Sequence, residues 1–228
     1  MKFKTPDAVG RFVYKRGTYE PEVLKVVEEM GIGPGSVIFD VGAHFGWYSL
    51  LFDRLTAGKG LVFALEPAPE NYRLLTENLI LNATKAVFPL KVAAGARPGQ
   101  LKLFLYPDKN TGRCSFVERT DRWVEVPVVP LDAFLKPYDL KKVKLLKVDA
   151  EGFEPFVLKG AEKLLERTEF VVFEFSPRLY GYLKEEFLGF LDRLPFEIFV
   201  VGPEGPGRTT PEGLRHLEKQ VNLLLVRK

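Results

Sequence analysis

Short apolar runs alternate with segments of helical period along most of this chain, the pattern of a parallel sheet covered by helices. A strand buried on both faces reads as a continuous apolar run, while a covering helix shows apolar residues only every three or four positions. The first helix is Pro21–Met30, with Val23, Val27 and Met30 on one face and Gly31 ending it. After a Gly33-Pro34-Gly35 turn, Val37–Val41 reads as the first strand. A glycine-containing turn leads to helix Trp47–Leu55, strand Leu61–Glu66, helix Pro69–Asn82 and strand Ala86–Ala93. The rhythm resumes with strand Val143–Asp149, helix Pro155–Glu166, strand Phe170–Phe175 and a helix near Leu179–Leu194. Ile198–Val201 and Asn222–Val226 close the chain as strands across a Gly/Pro-rich connection. So little helix separates them that the last strand is expected to insert antiparallel. The sum is a seven-stranded, doubly wound α/β sheet over residues 19–228.

The rhythm breaks between Gly95 and Pro130. Leu101–Tyr106 and Val124–Val129 read as strands around the polar stretch Asp108–Gly112, an antiparallel hairpin insertion at about 95–130. At 46% hydrophobic and 28% charged, the 228 residues are too apolar for disorder and sufficient for a sizeable core. The single cysteine, Cys114, excludes an intramolecular disulfide and a multi-cysteine zinc site. No apolar run reaches membrane-span length, and the charged start MKFKTPD lacks the apolar core of a signal peptide. A cytoplasmic location is the default expectation. Scarce Gln, Asn, Met and Cys beside 17 Pro match a heat-adapted composition.

The net charge of +3 is unevenly placed. Residues 1–16 set Lys2, Lys4, Arg11, Lys15 and Arg16 against Asp7, a balance of +4. Residues 1–18 read as a basic, solvated and partly mobile arm, too small for the broad basic face of a nucleic-acid binder.

In an open α/β sheet, ligands bind beyond the carboxyl ends of the strands, where strand order reverses. The first such turn is Asp40-Val41-Gly42-Ala43-His44-Phe45-Gly46. Gly42 permits a tight turn, and Gly46 opens a helix whose free N–H groups can face an anionic ligand group. Glu66 ends the second strand, where an acid can accept hydrogen bonds from both ribose hydroxyls. The spacing from Gly42 departs from the dinucleotide G-x-G-x-x-G, and Asp40 would repel a pyrophosphate. It suits a ligand with a cationic amino-acid end, such as S-adenosylmethionine. The plain alternative is a turn glycine beside a core-facing acid, and the four residues together favour the cofactor.

The second constellation is Lys147-Val148-Asp149-Ala150-Glu151-Gly152-Phe153-Glu154. Strand period puts Lys147 and Asp149 on one face, and Glu151 joins them if the chain stays extended. A structural ion pair is the alternative for Lys147 and Asp149; Glu154 reads as part of a first helical turn. Glu174 is the next strand-end acid, open to a role in the site or to a structural pairing such as with Arg178. His44 can line the cleft or serve packing.

Phe39–Gly46, Leu65-Glu66-Pro67 with Asn71 and Asn82, and Leu146–Glu154 with Val157-Leu158-Lys159-Gly160 resemble the FkbM family of S-adenosylmethionine-dependent methyltransferases over roughly residues 19–175. His44 stands where the family often has Asn. The resemblance implies the Rossmann-like class I methyltransferase fold and O-methylation of a hydroxyl on a sugar or small metabolite. The expected cofactor residues are Asp40, Gly42, Ala43, His44, Gly46, Glu66 and Pro67. Methyl transfer leaves a proton to remove, and three routes stay open: Asp149 as base, Lys147 as base if desolvated, or a divalent metal on Asp149 and Glu174. Asp149 is the first choice, with Lys147 and Glu151 completing the catalytic set. A small-molecule or glycan hydroxyl is the expected partner. The competing readings are an RNA methyltransferase and a non-catalytic cofactor-binding scaffold. Substrate selection is expected in residues 1–18, in the 95–130 insertion and after Phe175.

Overall fold

The computed structural model describes residues 1–4, 7–106 and 113–228; the polar stretch Asp108–Gly112 lies outside the described residues. Two helices, α1 (Ala8–Arg16) and α2 (Pro21–Glu29), precede β1 (Val37–Val41), α3 (Trp47–Leu55), β2 (Leu61–Leu65), α4 (Pro69–Leu81) and β3 (Val87–Leu90). The insertion follows as β4 (Ala93–Ala94), β5 (Gly99–Phe104) and β6 (Trp123–Val129). Then come β7 (Val143–Val148), α5 (Glu154–Lys159), α6 (Glu162–Leu165), β8 (Thr168–Phe175), α7 (Pro177–Tyr180) and α8 (Lys184–Asp192). The chain closes with β9 (Phe196–Gly202), β10 (Gly205–Thr209), α9 (Pro211–Arg215) and β11 (Val221–Arg227).

Among the described residues the main sheet has eight strands in the order β10-β9-β11-β8-β7-β1-β2-β3. From β3 to β8 neighbouring strands are parallel, and β11 inserts antiparallel between β8 and β9. The expected seven strands are all present. The eighth is β10, from the segment read as a connection; it pairs antiparallel with β9 at the sheet edge, where Pro206 sacrifices no interior ladder bond. In the insertion β5 and β6 form the expected antiparallel pair, and β4 joins β6 in a separate small sheet. Ala93 was read as the end of a main-sheet strand; it pairs instead with Val128.

Strand alternation sends Phe39, Val41, Phe63, Leu146, Val171 and Phe173 into one apolar layer, closed by Val157, Leu158, Phe187 and Leu191 from α5 and α8. Ile38, Val62, Leu145 and Val172 face the other way, under Val23 and Val27 of α2 and Leu51 and Phe52 of α3. Helices therefore cover both faces, as a mainly parallel sheet demands.

Two expected helices are broken. Pro155–Glu166 divides into α5 and α6 at Gly160, where a Cβ would stand 2.0 Å from the Gly95 carbonyl oxygen. The helix expected near Leu179–Leu194 divides at Gly181, with φ of 53°, into α7, a single 3₁₀ turn and α8.

The basic arm is folded, not free. Asp7 caps α1 by accepting from the Gly10 N–H at 2.9 Å, and Asp7 itself is buried. Asn78 donates to the Lys2 carbonyl at 2.8 Å, Lys4 pairs with Glu70 at 2.5 Å, and the Phe3 ring lies 6.1 Å from that of Phe45. Capping and aromatic burial outweigh the net charge that suggested a solvated terminus. No helix among the described residues is long and apolar enough to cross a membrane.

Candidate active site

Strand order reverses between β1 and β7, so the crevice of this sheet opens above their carboxyl ends. Gly42 leaves β1 there with φ of 80°, and a Cβ on it would lie 1.8 Å from the Asp149 carbonyl oxygen. Its close approach is thus to the neighbouring strand, and it joins the two sequence motifs physically.

Register explains the clustering of charge. Asp40 stands opposite Lys147, and Lys147 opposite Val172. Two residues farther along the same face come Asp149 just past the end of β7, Glu174 on β8 and Asn222 opposite Glu174 on β11. The Lys147 ammonium is buried, 3.6 Å from Asp149 Oδ2 and 4.5 Å from the centre of the Tyr48 ring. Burial alone would push that ammonium down, yet the carboxylates of Asp149, Asp40, Glu20 and Glu174 outweigh it and hold Lys147 above the ordinary lysine value.

A cavity of about 750 Å³ covers both motifs. Asp40, Gly42, Ala43, His44, Glu66, Pro67, Lys147, Asp149, Glu151 and Glu174 all line it, and Gly46 lies just behind as the N-cap of α3. Ala8, Val9 and Phe12 of α1 wall it, as do Cys114 and Phe116 of the insertion and the segments around Pro177 and Gln220. The three regions expected to select substrate therefore all reach it.

Glu66, expected to accept from a ribose, also has a structural duty. Its Oε2 accepts from the His44 N–H at 2.8 Å and its Oε1 from the Ala68 N–H at 2.9 Å, so it braces the turn after β1. His44 reaches it through a left-handed backbone, φ 52°. Burial pushes the Glu66 carboxyl up to about 7, even though the backbone donors and Asn71 favour its charged form. The His44 ring lies 4.6 Å from that of Phe45, with Nε2 4.0 Å from Asp7; burial lowers its pKa. The ring thus lines the cleft and packs at once.

Asp40 is fully buried and raised by that burial. Its Oδ2 accepts from Ser49 at 2.6 Å, while Oδ1 has no hydrogen-bond partner among the described residues. The indole N–H of Trp47, another lining residue, is likewise buried without one. Orphaned polar atoms on two lining residues suit a polar ligand that completes their bonding.

The chain does not stay extended past β7: Glu151 adopts φ of 50° and turns away from the strand line, yet it lines the cavity beside Asp149. Burial, with Asp149 and Glu154 nearby, pushes its carboxyl up to about 8. Glu154 is structural, as read: its Oε1 accepts from the Ala150 N–H at 2.8 Å at the start of α5. The pairing considered for Glu174 with Arg178 is absent. Arg178 pairs with Glu218 at 3.7 Å, and Glu174 accepts from Ser176 at 3.1 Å and from the Gln220 amide. Burial and the charge of Asp149 push Glu174 up to about 10. The expectation of a metal on Asp149 and Glu174 finds no supporting donor set. Asp149 faces an ammonium, and among the described residues no three His, Cys, Asp or Glu side chains are placed to hold an ion.

Glu20 was missed by the sequence reading. It accepts from the Tyr48 hydroxyl and from the Asn222 amide, each at 3.0 Å, and its charge acts on Lys147. Its backbone is left-handed, φ 46°, directly before Pro21, a strained conformation held by those two bonds. Only Tyr19-Glu20-Pro21 at a helix start could have signalled it. Tyr48, one residue into α3, carries no motif at all.

The sequence model of the FkbM methyltransferase domain matches residues 40–198. The hexuronic acid methyltransferase AglP of Haloferax volcanii is 29% identical, with 68% of this chain and 62% of that protein covered. Methyltransferase sdnD of Sordaria araneosa is 31% identical, with 55% and 60% covered. The match thus spans about three fifths of the length of these curated relatives. Among solved structures, an FkbM methyltransferase from Methylobacillus flagellatus superimposes with a TM-score of 0.55 at 18% identity, over 85% of this chain and 44% of that one. An S-adenosylmethionine-dependent O-methyltransferase from Thermotoga maritima gives 0.51 at 16% identity, over 92% and 66%. At such identities these structures speak for the fold, while the domain match covers most of the chain and both site motifs. The chain belongs to the FkbM methyltransferase family.

Proposed function

We propose that this protein transfers a methyl group from S-adenosylmethionine to a hydroxyl of a sugar or small metabolite. The observation that carries the reading is one cavity lined by Asp40, Glu66 and the Gly42 turn together with the Lys147–Asp149 pair. The relative named for hexuronic acid supports a sugar-like acceptor.

The cofactor of this family supplies a methyl group on a sulfonium. The residues present fit it: Glu66 would accept from ribose hydroxyls, the Gly42–His44 turn and Pro67 shape the wall, and the free lone pairs of Asp40 Oδ1 would serve a cationic amino-acid end. The rest of the chemistry belongs to the side chains. Asp149 is about a quarter exposed, so its carboxylate is open to the cavity and can take the proton of an acceptor hydroxyl. Lys147 serves as its fixed counter-ion, because the surrounding carboxylates keep the ammonium charged and unsuited to act as base. Glu151, its carboxyl pushed up to about 8, can in its protonated form donate a hydrogen bond to an acceptor oxygen, and the α1 side chains over the cavity exclude water.

The test is Asp149→Asn. Turnover of labelled S-adenosylmethionine on a panel of sugars should fall by about 100- to 10,000-fold, with adenosylhomocysteine affinity by calorimetry nearly unchanged. A chelator-insensitive wild type completes the assignment. Near-normal turnover in the variant would remove Asp149 as base, and absence of adenosylhomocysteine binding to the wild type would remove the methyltransferase reading altogether.

A further inference from the structure

We propose that α1 carries a cationic subsite for an anionic group, a carboxylate or a phosphate, on the methyl acceptor. The proposal rests on the methyltransferase reading for what the acceptor undergoes, and on separate residues for how it is held.

Three observations converge. First, α1 is fixed in place: Asp7 caps it from a buried position, and Ala8, Val9 and Phe12 wall the active-site cavity. Second, Ala8 and Phe12 also border a shallow surface depression along α1, whose other residues are Arg11, Lys15 and Arg16. Helical spacing puts these five residues on one side of α1, so the basic stripe borders the seam over the cavity. Third, the stripe lacks acidic partners. Among the described residues no carboxylate pairs with Arg11, Lys15 or Arg16, whereas Arg113 and Arg178, which line the main cavity, pair with Glu118 at 2.7 Å and Glu218 at 3.7 Å. The Arg16 guanidinium is steadied 4.9 Å from the centre of the Phe12 ring.

Helix polarity alone does not account for the stripe. Lys15 and Arg16 sit in the last turn of α1, where a cation favours the helix end. Arg11 lies mid-helix and gains nothing from that effect. The charge layout also orients the ligand. The Asp149 end of the cavity presents a carboxylate, which repels an anion, while the basic side of α1 attracts one. An acceptor with a hydroxyl at Asp149 and its anionic group toward α1 satisfies both ends, and paired guanidinium donors match carboxylate and phosphate alike.

Calorimetry of the whole protein at low ionic strength, with and without adenosylhomocysteine, tests this with three probes: glucuronate, glucose 6-phosphate and glucose. The anionic sugars should bind at least about tenfold more tightly than glucose, since one charge-assisted hydrogen bond suffices for that ratio. Whichever of the two binds better identifies the anionic group. Arg11→Gln/Lys15→Gln/Arg16→Gln, all exposed positions, should abolish the preference and leave adenosylhomocysteine binding unchanged. Lys136→Gln/Lys142→Gln, exposed at the far end of the sheet, should keep it. Equal binding of glucose and the anionic sugars, or a preference that survives the triple substitution, would overturn the subsite. Failure of adenosylhomocysteine to bind, with the preference intact, would remove the methyltransferase reading and leave the subsite standing.

Discussion

Glu66→Gln separates what this residue does for the fold from what it does for the cofactor, because its two duties respond differently to pH. Burial raises the folded-state carboxyl from 4.5 to about 7. A raised folded value means the folded state binds more protons than the unfolded one between those two limits, so stability falls as pH rises from about 4.5 to 7 and stays lower above. The loss is on the order of 3 kcal/mol by pH 8. Glutamine escapes it, but can accept only one of the two backbone N–H bonds from His44 and Ala68 and sets an NH₂ against the other. That mismatch costs about 1–3 kcal/mol at any pH. In urea denaturation the variant should therefore be less stable than the wild type at pH 5, and level with it or more stable at pH 8. Glu154, pushed up to about 7, and Glu151, to about 8, steepen the decline in the same direction, while His44, lowered by burial, opposes it below neutrality. All three cancel in the difference between variant and wild type at one pH. An equal deficit at pH 5 and pH 8 would refute the argument. Adenosylhomocysteine affinity at pH 8 should drop by about 1.5–3 kcal/mol, since the ribose loses a charged acceptor.

Lys147→Met removes the ammonium that faces Asp149, Asp40 and Glu20, and should cost about 3–5 kcal/mol by urea denaturation, toward the lower figure because Asp149 is partly solvated. A loss under about 1 kcal/mol would mean the carboxylates do not depend on it. Gly42→Ala forces a Cβ to within 1.8 Å of the Asp149 carbonyl oxygen at a left-handed φ, and should destabilise by more than about 4 kcal/mol in thermal melts. Gly33→Ala, whose Cβ would meet nothing, is the control, and equal melts for the two would contradict the close approach.

The candidate cofactor half of the site was legible because its constraints are local in sequence. Gly42 must turn directly after β1, Glu66 must follow β2 directly, and both requirements are met by residues adjacent to an apolar run. The Lys147–Asp149 pair was legible for the same reason, through strand period alone. Glu20 was not, since it meets Tyr48 and Asn222 only after the chain has folded back over separations of 28 and 202 residues. The arm was misread because net charge is a weak guide when one acid, Asp7, can cap a helix and a few aromatic rings can anchor it. β10 escaped notice because an edge strand needs backbone pairing with one neighbour and no apolar pattern.

The acceptor end combines two demands that conflict in a dry interior. In the proposed reaction a carboxylate at Asp40 would serve a cationic ligand group, and a second at Asp149 would have to be ionised to take a proton. Register puts Asp40 beside Lys147 and Asp149 two residues farther along the same strand, so one ammonium answers both. That solution requires the ammonium to stay charged at 5% side-chain exposure, and here Glu20 and the Tyr48 ring contribute. Glu20 adds a third carboxyl near Lys147, and the ring face adds quadrupole attraction in place of water. Glu20 lies outside the span matched by the family model and stands on the segment that joins the α1 cover to the domain. The same segment that closes the cavity thus also helps keep Lys147 protonated, which ties the charge state of the base's counter-ion to the placement of the cover above it.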